Sequence, residues 1–294
     1  MKGTKWFAVA AIVAIVAGAL VLTGCGTSTP TASTSTARAK KELSGSLTIA
    51  GSDTMINLAQ AWSEKFMTDN PGVSIAVKGG GSGTGIAALI NGTVDFADAS
   101  RAIEVSESAA IKARGGEAVT TVVGNDGIAI IVNSANKVEA LTKDQLGKIY
   151  RGEIKNWKEV GGDDKPITLV SRDPSSGTYT FLKEKVVGKT ANYAASAKLL
   201  PSTQAIVDEV KSDTNAIGYV GLGYENSSIK VVAIDGVKAT VATVTDNSYL
   251  LSRPLNMISN GAPKDLAKAY VDWIASAAGQ KVVKDLGFVP VIKK

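Results

Sequence analysis

The chain has 294 residues, of which 45% are hydrophobic and 20% are charged, so it is long enough for about two globular domains and wholesale disorder is excluded. It contains no histidine and one cysteine, which excludes Ser-His-Asp and Cys-His catalysis, His-ligated metal or haem sites, metal sites built on cysteine clusters, and an intramolecular disulfide. The net charge of +5 is not gathered into a basic cluster interleaved with aromatic residues, so we expect no nucleic-acid partner. The positive excess is equally consistent with an anionic small ligand and with an anionic membrane surface.

The N-terminal residues have the pattern of an export signal. Two lysines among the first five residues precede an apolar run that ends at Leu22, which predicts a signal peptide over residues 1–24. The segment Leu22-Thr23-Gly24-Cys25 resembles the bacterial lipobox, in which the leader is cleaved before a cysteine that carries diacylglycerol. The alternative is an uncleaved membrane anchor, although the run is shorter than the ~20 residues that a spanning helix needs. Both interpretations place the rest of the chain outside the cytoplasm.

A lipidated Cys25 and a flexible linker rich in serine, threonine and alanine are predicted over residues 25–44. Beyond the linker, short apolar strands alternate with helical periodicity. The predicted strands are Leu47–Ala50, Val73–Val77, Val94–Ala97, Thr120–Val123, Gly127–Val132, Ile167–Ser171, Ala216–Tyr219 and Ile229–Ile234. The predicted helices cover residues 55–66, 86–90, 142–150, 202–210 and 263–274. This alternation is typical of an α/β protein with a mostly parallel sheet.

Three strand-to-helix loops share a composition of glycine, serine and threonine: residues 51–54, 79–85 and 172–178. In open α/β sheets, ligands bind where the strands end and the helices begin, because free amide groups and the helix dipole favour an anion there. Arg172 in the third loop adds a guanidinium with the planar geometry that suits an oxyanion. One such loop alone is more often an ordinary capped turn, but three of them together favour an anion site.

The same glycines do not complete an enzymatic motif. The stretch at residues 80–85 lacks the lysine of a P-loop, and Ser82 lacks the second glycine of a nucleophile elbow. A loose match to the dinucleotide fingerprint starts at Gly83, but glycine-rich stretches often satisfy it by chance.

Several segments resemble the phosphate-binding proteins of ABC-type phosphate importers over roughly residues 45–290. They are Ala50–Met55, Gly79–Gly85, Val94–Arg101, Leu141–Leu146, Asn156–Gly162, Ser171–Thr178 and Ala216–Val220. The resemblance implies a type II periplasmic-binding-protein fold: an α/β architecture of two lobes, with mostly parallel sheets flanked by helices and the ligand in the cleft between the lobes. It divides the chain into one lobe at residues 45–125 plus 250–294 and another at residues 126–249.

The resemblance also implies a set of residues that bind phosphate. They are Ser52, Thr54, Met55, Ser82, Ser100, Arg172, Ser176, Gly177 and Thr178. Residues with a less direct claim to the site are Asp98, Arg101, Gly83 and Thr84. The family's phosphate binders commonly carry, at the position of Ser100, an aspartate that accepts the ligand's proton and thereby rejects sulfate. Asp98 is the candidate replacement, and Arg101 either points into the site or forms an ion pair.

Taken together, these features predict a lipid-anchored, extracytoplasmic, monomeric binding protein that captures inorganic phosphate and docks on the permease subunits of an ABC importer. It would need no metal or cofactor and would not be an enzyme. Two alternatives stay open at this point. The chain could bind another oxyanion, such as molybdate, tungstate or sulfate, or it could be an extracytoplasmic phosphatase on the same scaffold.

Overall fold

The computed structural model describes residues 42–291. The predicted signal peptide, the lipidation site Cys25 and the linker up to Lys41 lie outside the described residues. The first strand begins at Ser44, the last residue of the predicted linker. Within the described part of the chain, no helix combines the length and the apolarity that crossing a bilayer demands.

Strands and helices alternate along most of the described chain. The strands are β1 (Ser44–Gly51), β2 (Gly72–Lys78), β3 (Phe96–Ala99), β4 (Ala118–Asn133), β5 (Ala140–Leu141), β6 (Thr168–Arg172), β7 (Lys198–Leu200), β8 (Ala216–Gly221), β9 (Ile229–Ile234) and β10 (Ser252–Asn260). The α-helices are α1 (Ile56–Asp69), α2 (Ser82–Ile90), α3 (Val105–Ala113), α4 (Lys143–Arg151), α5 (Gly177–Leu182), α6 (Thr203–Ser212), α7 (Val241–Thr245), α8 (Asp265–Ile274) and α9 (Ala277–Asp285). A π-helical turn at Lys183–Val187 extends α5, and short 3₁₀ turns occupy Trp157–Val160 and Leu222–Tyr224.

The strands form a continuous path in the order β2-β1-β3-β10-β4-β8-β6-β7, and β9 joins β4 to β5. The pairs β1–β2, β1–β3, β6–β8, β6–β7 and β5–β9 are parallel. The pairs that β4 and β10 make are antiparallel. The parallel strands that precede the glycine-rich loops therefore lie on either side of a central antiparallel pair.

Strand β4 is longer than the sequence predicts. Two strands separated at Gly124-Asn125-Asp126 are expected, but the structure has one strand from Ala118 to Asn133. The turn-forming residues stay extended because β10 pairs with them, with Asp126 opposite Arg253 and a register shift between Leu255 and Asn256. A partner strand here overrides the local turn preference, as tertiary context often does in sheets. From Ile128 onward β4 pairs with β8 instead.

Two large apolar cores lie on either side of this crossing. The first consists of residues between Leu47 and Val123 and between Leu255 and Phe288, with Trp62 and Phe66 of α1 packed against Tyr270 of α8. A small third cluster, around Ile86 and Leu89 of α2, covers the opposite face of β3. The second large core runs from Ile128 to Leu251, with Val289 added.

Candidate anion-binding site

The predicted hydroxyl residues converge at the ends of β1, β3 and β6. The Ser52 hydroxyl donates to Ser100 Oγ over 2.9 Å, and Ser82 Oγ lies 3.4 Å from Ser100 Oγ. Thr54 Oγ1 and Thr178 Oγ1 are 2.9 Å apart. All five side chains are buried. We call Ser52, Thr54, Ser82, Ser100 and Thr178 the hydroxyl cluster.

Local chain geometry explains why these groups come so close. Ser176 is the N-cap of α5, and its Oγ accepts hydrogen bonds from the amides of Thr178 and Tyr179. Gly177 is the first residue of that helix, and a Cβ added there would lie 2.4 Å from Ser82 Oγ and 3.0 Å from Ser100 Oγ. Only glycine therefore allows α5 to approach the first two loops this closely.

The second loop meets the third in a similar way. The Gly83 amide donates to the Ser175 carbonyl, and the Ser175 hydroxyl donates to the Gly80 carbonyl. Gly81 has a φ of 93°, a backbone conformation that favours glycine, and a Cβ there would meet the Ser175 backbone at 2.7 Å. The loops at the ends of β2 and β6 are thus in direct contact.

Two further predicted residues are placed less simply. The Met55 side chain is buried in the first core, and its amide donates to the Ser52 carbonyl. The Thr84 side chain is exposed, one turn into α2. Neither side chain is bonded to the hydroxyl cluster. Their roles as ligands of an anion stay predictions.

Arg172 is buried beside the site, but its guanidinium is occupied by protein groups. Nη2 donates to Asp53 Oδ2 over 2.8 Å and to the Pro201 carbonyl over 3.0 Å. Nη1 donates to Thr203 Oγ1, and Nε donates to the Leu200 carbonyl. The ion pair with Asp53 joins the loop after β1 to the end of β6, although the two residues are 119 positions apart in sequence.

The side chains of Asp98, the candidate replacement for the missing acidic group, and of Arg101 make no hydrogen bond to the hydroxyl cluster. Asp98 is buried on β3, its Oδ1 has no hydrogen-bond partner, and burial raises the pKa of its carboxyl to about 8. Arg101 forms a two-pronged ion pair with Glu107, with Nη2–Oε1 and Nη1–Oε2 distances of 2.6 and 2.8 Å. Of the two alternatives for Arg101, the structure has the ion pair.

One arginine at the centre of the site is absent from the sequence prediction. Arg253 on β10 donates from Nη1 to the Ser100 carbonyl over 2.9 Å and to Thr178 Oγ1 over 3.0 Å. Its Nε and Nη2 donate to Asp126 Oδ2, so the two buried charges are paired. Burial lowers the pKa of Arg253 and raises that of Asp126, and the ion pair opposes both shifts. A signal was present: Asp126 and Arg253 are the only charged residues in β4 and β10, and buried charges need partners.

The hydroxyl cluster and Arg253 bring several hydrogen-bond donors together, which is the chemistry that holds an anion. The hydroxyls contact one another and Arg253, and within residues 42–291 no carboxylate accepts a hydrogen bond from any of the five. A serine nucleophile would need such a base beside it. The described residues also contain no group of three or more Cys, Asp or Glu side chains that could hold a metal ion.

Comparisons with known proteins agree on one family. Residues 29–278 match the model of the PBP superfamily domain. The phosphate-binding protein PstS of Bacillus subtilis is 37% identical over 259 residues, which are 87% of this chain and 84% of the relative. PstS of Pseudomonas aeruginosa strain PAO1 is 33% identical over 276 residues, which are 86% of this chain and 85% of the relative.

Solved structures give the same result. A crystal structure with bound phosphate, of a Clostridium perfringens protein assigned as a phosphate ABC transporter substrate-binding protein, superposes with a TM-score of 0.79 at 34% identity and covers 84% of this chain and 100% of that chain. An ABC-type phosphate transport receptor from Vibrio cholerae gives a TM-score of 0.71 at 30% identity, with 83% and 100% covered. The predicted type II periplasmic-binding-protein fold is confirmed, and the chain belongs to the PBP superfamily, in the family of the phosphate-binding proteins PstS.

Proposed function

We propose that this protein captures inorganic phosphate in the hydroxyl cluster and delivers it to the permease of an ABC importer. The observation that carries the proposal is that five buried hydroxyls, which follow four different strands, meet beside Arg172 and Arg253. The related proteins from Clostridium perfringens and Vibrio cholerae, described as phosphate transport components, share this fold over most of their length.

We propose the lobe division at residues 45–125 plus 250–294 and residues 126–249. The separation of the two large apolar cores on either side of Asp126 supports it. The chain crosses between them on β4 and β10, which stay paired to each other at the crossing. Two adjacent strands are a natural hinge, because small backbone rotations in them can move whole lobes.

Phosphate would take the place of contacts that the hydroxyls make with each other. The Thr54–Thr178 hydrogen bond joins the proposed lobes, so an oxyanion inserted between these two hydroxyls would bind both lobes at once. Hydrogen bonds to a charged group contribute about 1.5–3 kcal/mol each, and several are needed to offset the desolvation of the anion. Ligand binding would therefore stabilise the closed form over the open one.

The serine at position 100 bears on selectivity. A hydroxyl both donates and accepts hydrogen bonds, so Ser100 can meet a protonated or an unprotonated ligand oxygen. The Asp98 carboxyl makes no hydrogen bond to the cluster, and the carboxylates of Asp53 and Asp126 are already held by arginines. We therefore propose weaker rejection of sulfate than a carboxylate at position 100 would give.

We further propose that the protein works outside the cytoplasm, anchored by a lipid on Cys25 and acting as a monomer. The lipobox-like segment and the absence of any other cysteine support the location and the lipid anchor. Metabolic labelling with a radioactive fatty acid tests it: the wild type should be labelled and found with membranes, and Cys25→Ser should be neither. Label on the Cys25→Ser protein would contradict the proposal.

Titration calorimetry of the soluble protein, residues 26–294, with phosphate tests the main proposal. One saturable site per chain is expected, with arsenate competing for it. Molybdate and tungstate titrations in the same buffer test the alternative oxyanions, and release of phosphate from a phosphate monoester tests the phosphatase. Tight binding of molybdate without phosphate binding, or turnover of the ester, would refute the proposal.

A further inference from the structure

Arg253 occupies the point where the two proposed lobes meet. It lies on β10 directly opposite Asp126 of β4, at the last positions before β4 changes its partner strand. Both side chains are fully buried. The ring of Phe181 covers the guanidinium, with its centroid 5.8 Å from Cζ. A charge so far from water must be balanced by other groups, and its well-formed hydrogen bonds are stronger there than they would be in water.

The five N–H bonds of this guanidinium can be accounted for individually. Nε donates to Asp126 over 3.0 Å, and one Nη2 hydrogen does so over 2.7 Å. Both Nη1 hydrogens are used, one by the Ser100 carbonyl and one by Thr178 Oγ1. The second Nη2 hydrogen has only Thr54 Oγ1, at 3.5 Å, which is a long and weak contact.

That weakly bonded donor is directed at the proposed ligand position. Thr54 and Thr178 are the pair of hydroxyls whose mutual hydrogen bond phosphate would replace. Arg253 touches both, so a ligand oxygen between them would lie within reach of Nη2. Arg172 differs, because its guanidinium is bonded to Asp53, Thr203 and two backbone carbonyls.

We propose that Arg253 binds the oxyanion directly through Nη2, and that Asp126 is a positioning residue that holds the guanidinium toward the hydroxyl cluster. This inference rests on the proposed capture of an oxyanion and adds a specific residue to it. Arg253 lies on one of the two hinge strands and bonds Ser100 of one proposed lobe and Thr178 of the other. An anion bound to Arg253 would therefore also favour the closed arrangement of the lobes.

Two variants test the assignment by calorimetry with phosphate. Arg253→Lys keeps the charge and a partner for Asp126 but cannot hold Ser100, Thr178 and the ligand together, so we expect at least tenfold weaker binding. The double variant Asp126→Asn with Arg253→Gln removes both charges without leaving one unpaired, and we expect at least hundredfold weaker binding. Arg151→Lys is the matched control, because Arg151 lies on α4 and pairs with Glu153 away from the site.

The outcomes separate the two proposals. A wild type that takes up no phosphate would overturn the function and this inference together. A wild type that binds, with folded Arg253 variants within threefold of its affinity, would overturn the inference alone. A purely structural arginine would lower the melting temperature of the phosphate-free protein and leave the affinity of the folded protein unchanged.

A crystal structure of the wild type with phosphate decides the matter even if neither variant folds. The inference requires a phosphate oxygen within about 3.2 Å of Arg253 Nη2, which is hydrogen-bond distance. A phosphate bound in the hydroxyl cluster with Nη2 more than about 4 Å from every ligand oxygen would overturn it.

Discussion

The buried carboxyl of Asp98 should make the stability of this protein depend on pH. Asp98 lies on β3 between β1 and β10, beside Gly51 and Met257. Its Oδ1 has no hydrogen-bond partner, and no ion pair compensates the charge it would carry. Burial therefore raises the pKa of Asp98 from an ordinary value of 3.8 to about 8. The folded protein keeps Asp98 neutral at pH 7, whereas the unfolded chain ionises it.

The sign and size of the effect follow from that difference. Below about pH 4 the carboxyl is neutral in both states and has no effect on the free energy of unfolding. As the pH rises toward 8, the unfolded state gains stability at about 1.36 kcal/mol per pH unit, because only the unfolded state releases the proton. Between pH 5 and pH 8 the folded protein should lose roughly 3–4 kcal/mol from this group alone.

The variant Asp98→Asn should remove this loss. Its amide adds buried donors that cost about 1–3 kcal/mol, but this cost does not depend on pH and cancels when one variant is compared at two pH values. Urea unfolding in phosphate-free buffer at pH 5 and pH 8 measures the change for wild type and variant. Asp69→Asn is the control, because Asp69 is exposed at the end of α1. Equal pH dependence in wild type and Asp98→Asn, within about 1 kcal/mol, would refute the reasoning.

Two further predictions concern the ligand. Gly177→Ala should lower phosphate affinity at least hundredfold, because its Cβ would lie 2.4 Å from Ser82 Oγ and would hold the two proposed lobes apart; calorimetry with wild-type affinity would contradict the clash. Sulfate in large excess should weaken apparent phosphate binding to the wild type but not to Ser100→Asp, whose carboxylate accepts a ligand proton and repels an unprotonated oxygen. Equal competition in both proteins would show that position 100 does not set the selectivity.

The loops of the site could be predicted because their signals are local. Glycine and hydroxyl residues follow directly on apolar strands, and the helices that begin there need caps and free amides. The helix predicted over residues 142–150 is local in the same sense, because Thr142 and Gln145 form a capping box at its start. The alternation of strands and helices likewise placed most elements within a few residues of their observed bounds.

The pairings between distant charges could not be predicted in this way. Asp126 and Arg253 are 127 positions apart, and Asp53 and Arg172 are 119 apart. Only the sheet order, with β10 inserted between β3 and β4, brings the first pair together. The same pairing straightens the Gly124-Asn125-Asp126 segment, which a local view interprets as a turn. Both differences have one cause, the antiparallel pair at the crossing.

Pairing each arginine with an aspartate changes how the site would attract its ligand. Two unpaired guanidiniums would draw any anion and would repel each other in the closed form. With Asp53 and Asp126 in place, the protein's own charges in the site balance, and the ligand is met mainly by oriented hydroxyl and N–H dipoles. Such groups act only at hydrogen-bond distance, so the choice among tetrahedral oxyanions would depend on which oxygens carry protons and on fit. The hydroxyls already bond to each other as donor and acceptor, and for that reason the cluster can match either pattern of ligand protons.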